Sequence, residues 1–387
     1  MISLGIEEFV KAPPPWLKGQ RLGLLCNQAS VDRHFRHSRD LIDQALPGQL
    51  RCLFTPQHGF FAEKQDNMIE SGHGRDGQGR PVFSLYGDTR RPNQAMFDHL
   101  DVLLVDIFDV GTRVYTFMST LVYCLEEAAR LGKKVVVLDR PNPIGGVDLE
   151  GNILQDDCRS FVGIDSLPMR HGLTFAELAL FLNARIATPA ELNVVPMAGW
   201  RREMHFPECD QPWVFPSPNM PTYASALVYP GQVLWEGTNI SEGRGTTLPF
   251  EVFGAPFLRH DAILDHLRQT PLPGCMLRPV CFEPTANKWR GEVCTGFQIH
   301  ITAPRDFLPY RTSLAVLGAI MTLYPEQFAL KEPPYEYEFV RTPLDLILGD
   351  CSIRHELGAG RSVLELEAGW QAGLADFAEV RRTYLMY

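Results

Sequence analysis

At 387 residues the chain is longer than one hydrophobic core usually supports, and a mixture of 45% apolar with 21% charged residues excludes a disordered or fibrous protein. A formal net charge of -10 disfavours broad attraction to nucleic acid or to an anionic membrane, although a few arginines can still form a local pocket for an anion. The nine cysteines are scattered without a CxxC pair and are odd in number, the usage of reduced thiols rather than of a disulfide framework or a zinc site.

The first residues, MISLGIEEFV, carry an acidic pair where an export signal would be basic, and no long apolar segment follows. The expectation is therefore a cytoplasmic protein without membrane association. Residues 21–26 (RLGLLC) read as a short strand followed by a polar loop, and 50–54 (LRCLF) as a second strand running into TPQHGFF. A third, 102–107 (VLLVDI), is almost unbroken in its apolarity, as a strand covered on both faces should be, and a fourth spans 135–138. Between the last two, Phe117, Leu121, Cys124, Leu125 and Ala128 recur at helical spacing. Thr174 and Glu177 form a capping box that opens another helix.

Strand-then-helix repetition predicts an α/β protein with a mostly parallel sheet and helices on both faces. Residues 205–231 hold six prolines, which lack backbone donors, so neither helix nor central strand is expected there. The reading places a first domain over 1–227 and a smaller α+β domain over 228–387. The second contains a helix near 263–267, an alternating strand at 295–301 and a mostly apolar helix from Arg311.

Ionisable and turn-forming residues concentrate in four segments. TPQHGFFAEKQDN holds His58, Glu63, Lys64, Gln65, Asp66 and Asn67; DIFDVGTRVYT holds Asp106, Asp109, Arg113 and Tyr115. LDRPNPIGG holds Asp139, Arg140 and Asn142; WEGTNISEGRGT holds Glu236, Asn239, Glu242 and Arg244. Ligands of open parallel sheets bind beyond the carboxyl ends of the strands, so the first three segments are expected to face one crevice and the fourth to close it. Each also has a plainer reading: an Asp109–Arg113 ion pair, a rigid Pro-Asn-Pro turn, a loop histidine, solvated glutamates. Neither GxGxxG nor GxxxxGK[ST] follows the first strand, and there is no GxSxG elbow or HExxH. A nucleotide-dependent enzyme thus has no support beyond the fold, and no cofactor or metal is expected.

PQHGFF…EKQDN, VFSLYG, DIFDVGTRVYTFMSTL, VLDRPNPIGG, PSPNMPT and EGTNISEGRGTTLPFE together resemble the DUF1343 family, over nearly the whole chain. Its characterised members are exo-β-N-acetylmuramidases of glycoside hydrolase family 171, which release N-acetylmuramic acid from the non-reducing end of peptidoglycan fragments. The resemblance implies a Rossmann-like domain without nucleotide, followed by a smaller domain that closes the cleft. By position, Asp109, Arg113 and Tyr115 match the family's Asp-Val-Gly-x-Arg-x-Tyr segment, and Asn142 its Arg-Pro-Asn-Pro segment. Asn219 matches the Ser-Pro-Asn-Met-Pro segment, and Glu236, Asn239 and Arg244 the segment beginning Glu-Gly-Thr-Asn. Two positions depart: many members have glutamates where this chain has Gln57 and Met68.

Glycoside cleavage usually needs one protonated and one ionised carboxyl group. Glu236, Glu63 and Asp109 are the leading candidates, with Glu242 and Glu126 behind them; Glu236 is the preferred acid, and Glu63 a replacement for the missing glutamate at 57. His58, Tyr115, Asn142, Asn219, Asn239 and Glu242 are expected to bind sugar, and Arg113 or Arg244 to grip the lactyl carboxylate with a two-donor fork. A glycosidase of altered sugar specificity, or a muropeptide-binding module that has lost one carboxylate, stays open beside this reading.

Overall fold

The computed structural model describes residues 2–65 and 68–387; Asp66 and Asn67 of the first polar segment lie outside the described residues. The early strands are β1 (Leu22–Leu25), β2 (Leu50–Thr55), β3 (Gly74–Arg75), β4 (Pro81–Ser84), β5 (Val102–Val105) and β6 (Lys134–Leu138). Next, β7 (Glu150–Ile153) and β8 (Pro168–Arg170) form a separate antiparallel pair, and β9 (Glu191–Val195) returns to the main sheet. That sheet runs β3-β4-β2-β1-β5-β6-β9 and is parallel except where β3 meets β4.

Burial of both faces explains the unbroken apolar runs. Leu22 and Leu24, Val102 and Leu104, and Val136 and Leu138 pack with Ile6, Phe9, Leu41 and Ile42 on one side. Leu25, Leu103, Val105, Val135 and Val137 pack on the other with the helices Phe117–Arg130 and Phe175–Asn183. The predicted capping box is present, with Thr174 accepting from the Glu177 N–H at 3.3 Å and Glu177 from the Thr174 N–H at 3.0 Å.

The Pro-rich stretch departs from expectation. A helix, Tyr223–Gln232, runs through its end with Pro230 inside, and residue 227 lies within that helix. Five of the six prolines precede it, and Pro230 sits so near the carboxyl end that its missing N–H removes one bond only. Thr222 supplies the cap, accepting from the Ser225 N–H at 3.1 Å.

The remaining chain builds an antiparallel sheet of β10 (Val252–Ala255), β11 (Cys275–Phe282) and β12 (Cys294–Ile301), with β12 central, and several helices. The helices His260–Leu267 and Pro309–Leu323 were legible from periodicity; Pro343–Leu348, Cys351–Gly358 and Val363–Arg382 were not. The last helix carries the chain back to the parallel sheet. There the Tyr387 hydroxyl donates to Asp139 and accepts from the Met197 N–H, both at 2.7 Å. One apolar cluster continues from the parallel sheet into the second sheet and its helices. Among the described residues, no helix is long and apolar enough to cross a membrane.

Candidate active site

A partly open cleft lies between the parallel sheet and the second half of the chain. Gln57 and His58 reach it from the loop after β2, and Tyr115 and Thr116 from the turn that leads into Phe117–Arg130. Ser217 and Asn219 come from the Ser-Pro-Asn-Met-Pro turn, and Glu236, Arg244, Tyr335 and Glu336 from the second half. Val114, Phe117, Val162, Met220, Tyr229 and Phe250 supply apolar wall. A concave site with apolar walls and a few convergent polar groups is the usual form of a small-ligand site.

Two buried carboxyl groups in the cleft are shifted in opposite directions by their surroundings. Glu236, in a short 3₁₀ segment (Val233–Gly237), accepts from the Arg244 guanidinium at 2.6 Å and from the Tyr335 hydroxyl at 2.7 Å. Burial alone would raise its pKa, but Arg244, Tyr335 and Lys288 outweigh that and hold it below the ordinary carboxylate range. Glu336 is pushed the other way, up to about 7, chiefly by burial, with the Glu236 charge adding to the rise against the hydrogen bonds from Tyr86 and Gln57. The Gln57 amide nitrogen donates to one Glu336 oxygen at 2.9 Å, and the Tyr86 hydroxyl to the other at 2.6 Å. Gln57 is itself oriented: its carbonyl oxygen accepts from the Thr116 hydroxyl at 2.5 Å.

Local backbone explains how these groups are aimed. Arg244 lies between Gly243 and Gly245, both at positive φ (79° and 78°), so the GRG triplet serves a reversal of the chain that turns this arginine inward. Glu336 occupies the tip of a tight hairpin in which Tyr335 and Glu338 exchange both backbone bonds at 2.9 Å. Its central residues Glu336 and Tyr337 have φ of 47° and 63°, the pattern of a turn that ordinarily prefers Asn-Gly. A non-glycine residue there costs on the order of 1 kcal/mol, and such outliers gather at functional sites. The turn is clamped from the first half, where Arg90 donates to the Glu336 carbonyl at 3.2 Å and lies 4.1 Å from the Tyr337 ring centroid.

Of the expected site residues, His58, Tyr115, Asn219, Glu236 and Arg244 line the cleft. His58 contacts the Lys64 carbonyl through Nδ1 at 2.7 Å. Asn219 and Arg244 both donate to the Gln65 carbonyl, at 2.8 and 3.2 Å, and so hold the loop after β2 against the second half. The other expected residues lie elsewhere. Glu63 is exposed, accepts from the Phe61 N–H at 3.2 Å and lines a separate surface hollow with Lys64 and Arg75, so it does not stand in for a glutamate at 57.

Arg113 is wholly buried, and its guanidinium donates to the carbonyls of Asn152, Leu167, Ile347 and Leu348 at 2.7–3.1 Å. It ties the two halves together and has no fork left for a ligand. Asp109 is buried outside the cleft lining, accepting from the Gly111 N–H at 2.7 Å with His171 3.9 Å away; burial raises it to about 7 and pushes His171 down to about 3. The Asp109–Arg113 ion pair is absent as well.

Asn142 closes its turn by donating to the Leu173 carbonyl and accepting from the Ile144 N–H, and Asn239 pins a loop through Gln327 and Ala329. Both are structural. Glu242 stands behind the cleft, 3.1 Å from Arg244 and 2.8 Å from Lys288, and Glu126 pairs with Arg91 at the surface. The third polar segment is consumed within the fold, because Asp106 pairs with Arg140 at 2.5 Å and Asp139 accepts from the Ala176 N–H at 2.8 Å.

Sequence reasoning passed over Tyr86, Lys288, Tyr335 and Glu336. The one available signal was Glu-Tyr between a Pro pair and Thr-Pro at 333–343, too ordinary to single out.

An α/β fold whose sheet faces a cleft with two buried carboxyl groups, Glu236 and Glu336, fits an enzyme of the acid–base type. The family model for the amino-terminal part of the exo-β-N-acetylmuramidase NamZ matches residues 22–224, and that for its carboxyl-terminal part residues 227–387. Peptidoglycan β-N-acetylmuramidase NamZ of Bacillus subtilis (strain 168) is 40% identical over 387 residues, covering 100% of this chain and 91% of that protein. Two crystal structures of DUF1343 proteins from Bacteroides fragilis superpose with TM-scores of 0.89 and 0.74, at 32% and 27% identity, each covering 100% of this chain and 99% of the other. The chain belongs to the NamZ family of exo-β-N-acetylmuramidases and is a glycoside hydrolase.

Proposed function

We propose that this enzyme removes N-acetylmuramic acid from the non-reducing end of muramic-acid-containing sugars and muropeptides, with the terminal sugar seated between Gln57–His58 and Glu236–Arg244. The observation that carries the reading is the pairing, in one cleft, of two buried carboxyl groups, Glu236 bound to Arg244 and Glu336 held by Gln57 and Tyr86.

Arg244 is the arginine for the lactyl carboxylate because it lines the cleft, which Arg113 does not; its bonds to Glu236, Glu242 and the Gln65 carbonyl would have to be shared with or yielded to the ligand. Glu236 and Glu242 hold its guanidinium in place, and a planar fork binds a carboxylate with two donors. The Gln57 amide in the cleft favours one second reading, a glycosidase of altered sugar specificity.

Turnover of a chromogenic N-acetylmuramide, set against the corresponding N-acetylglucosaminide, separates these. Release from the muramide alone supports the proposal, and equal turnover of both removes acid-sugar recognition. Tight binding without turnover of either would leave only a muropeptide-binding module. A cytoplasmic setting, in which the enzyme recycles imported wall fragments, belongs to the proposal and is supported by nine unpaired cysteines. Fractionation that recovers the native protein outside the inner membrane would refute it.

A further inference from the structure

We propose that Glu336 is the residue that protonates the departing glycosidic oxygen, and that Gln57 and Tyr86 are its positioning residues; this rests on the muramidase reading above. Glu336 lines the cleft with Glu236 and is itself almost wholly buried. Each of its oxygens accepts one bond, from the Gln57 amide or the Tyr86 hydroxyl, which leaves one lone-pair site on each to carry a proton.

Gln57 acts on Glu336 as a donor. In the orientation observed, the Gln57 amide nitrogen has only hydrogens to offer Glu336, and the amide oxygen is taken up by the Thr116 hydroxyl. Tyr86 is held in turn by the Met68 N–H at 2.9 Å. The separation of the two carboxyl groups is set by one hairpin, since Tyr335 donates to Glu236 while its chain neighbour carries the Glu336 carboxyl group. The left-handed backbone at Glu336, at the turn position that ordinarily prefers Asn, carries a glutamate whose carboxyl group lies in the cleft. A carboxyl group raised to about 7 is still partly protonated at neutral pH and can release that proton, as a general acid must.

In the step, the bond between the anomeric carbon and the glycosidic oxygen breaks with its electron pair on oxygen, and that oxygen takes the Glu336 proton. Water then supplies hydroxide to the anomeric carbon, and its remaining proton returns through solvent to the Glu336 carboxylate. Glu236, ionised beside Arg244, is the negative charge available to the positive character that develops at the sugar.

The test compares wild type with Glu336→Gln on an unactivated muramyl disaccharide and on an aryl muramide whose phenol leaves without protonation. The expected result is a fall in kcat of roughly 10²–10⁴-fold on the disaccharide, a much smaller fall on the aryl muramide, and loss of the alkaline limb of the pH–kcat profile. Near-normal kcat on the disaccharide, or an equal fall on both substrates, overturns the assignment. Should Glu336→Gln fail to fold, Tyr86→Phe carries the test: it removes a bond that lowers the Glu336 pKa, so the alkaline limb should move to higher pH. An unmoved limb in Tyr86→Phe also overturns the assignment. If wild type turns over neither substrate, the muramidase reading itself falls, whereas an active wild type with unaffected variants removes Glu336 alone.

Discussion

The Gln57 amide and the Glu336 carboxyl group, 279 positions apart in the chain, meet at 2.9 Å across the cleft. One belongs to the loop after β2 and the other to a hairpin of the second half, so the contact exists only when the two halves are docked. That docking is held by groups outside the cleft lining, Arg113 and Tyr387 among them, which separates residues that build the cleft from residues that line it.

Glu236→Gln should reveal the coupling between the two carboxyl groups. The Glu236 charge raises the Glu336 pKa, so removing it should lower that pKa and move the alkaline limb of the pH–rate profile to lower pH. The kcat should also fall, roughly 10²-fold or more, if the ionised carboxylate serves the transition state. An unchanged limb would show that the two groups do not sense each other.

Arg244→Lys keeps the positive charge beside Glu236 and Glu242 but cannot present a planar fork. The KM for a muramide should rise roughly tenfold, about 1.4 kcal/mol, with kcat closer to normal, because the lactyl group takes no part in bond breaking. Steady-state kinetics on the muramide and the glucosaminide check this; an equal effect on both would place the lactyl group elsewhere.

Arg113→Met should be a stability variant. It strands carbonyls of Asn152, Leu167, Ile347 and Leu348 in the interior, at a cost of at least about 3 kcal/mol. Urea unfolding should show the loss, while the folded fraction keeps its KM. A stable variant with a raised KM would return Arg113 to the binding site.

Asp109→Asn should change how stability depends on pH. In the folded state Asp109 is raised to about 7 from 3.8, so between those values the folded protein holds a proton that the unfolded chain releases. Stability from this group is therefore fully present below about pH 4, falls as pH rises to about 7 and is flat above. The variant should match wild type in acid and gain on the order of 4 kcal/mol at pH 8, with activity retained. Denaturation across pH measures the first effect, and a folded but inactive variant would show that Asp109 takes part in the chemistry.

Much of the fold was determined by local sequence alone. Apolar runs such as 102–105 can be stable only with both faces covered, and the Thr174–Glu177 box starts a helix whatever surrounds it. The same holds for the helix around Leu121 and for the strand carrying Phe297 and Ile299. Polar segments also marked the neighbourhood of the site, since five expected residues line the cleft. Only the tertiary structure decided which polar residues face a ligand. Arg113, Asp109, Asn142 and Asn239 carry the same side chains as binding residues, but buried carbonyls and turn N–H groups left unpaired would be costly, and these side chains satisfy or abut them. Glu336 is the converse case. No periodicity or spacing distinguishes it in the chain, and its raised pKa arises from burial and from the approach of Glu236, both products of long-range packing.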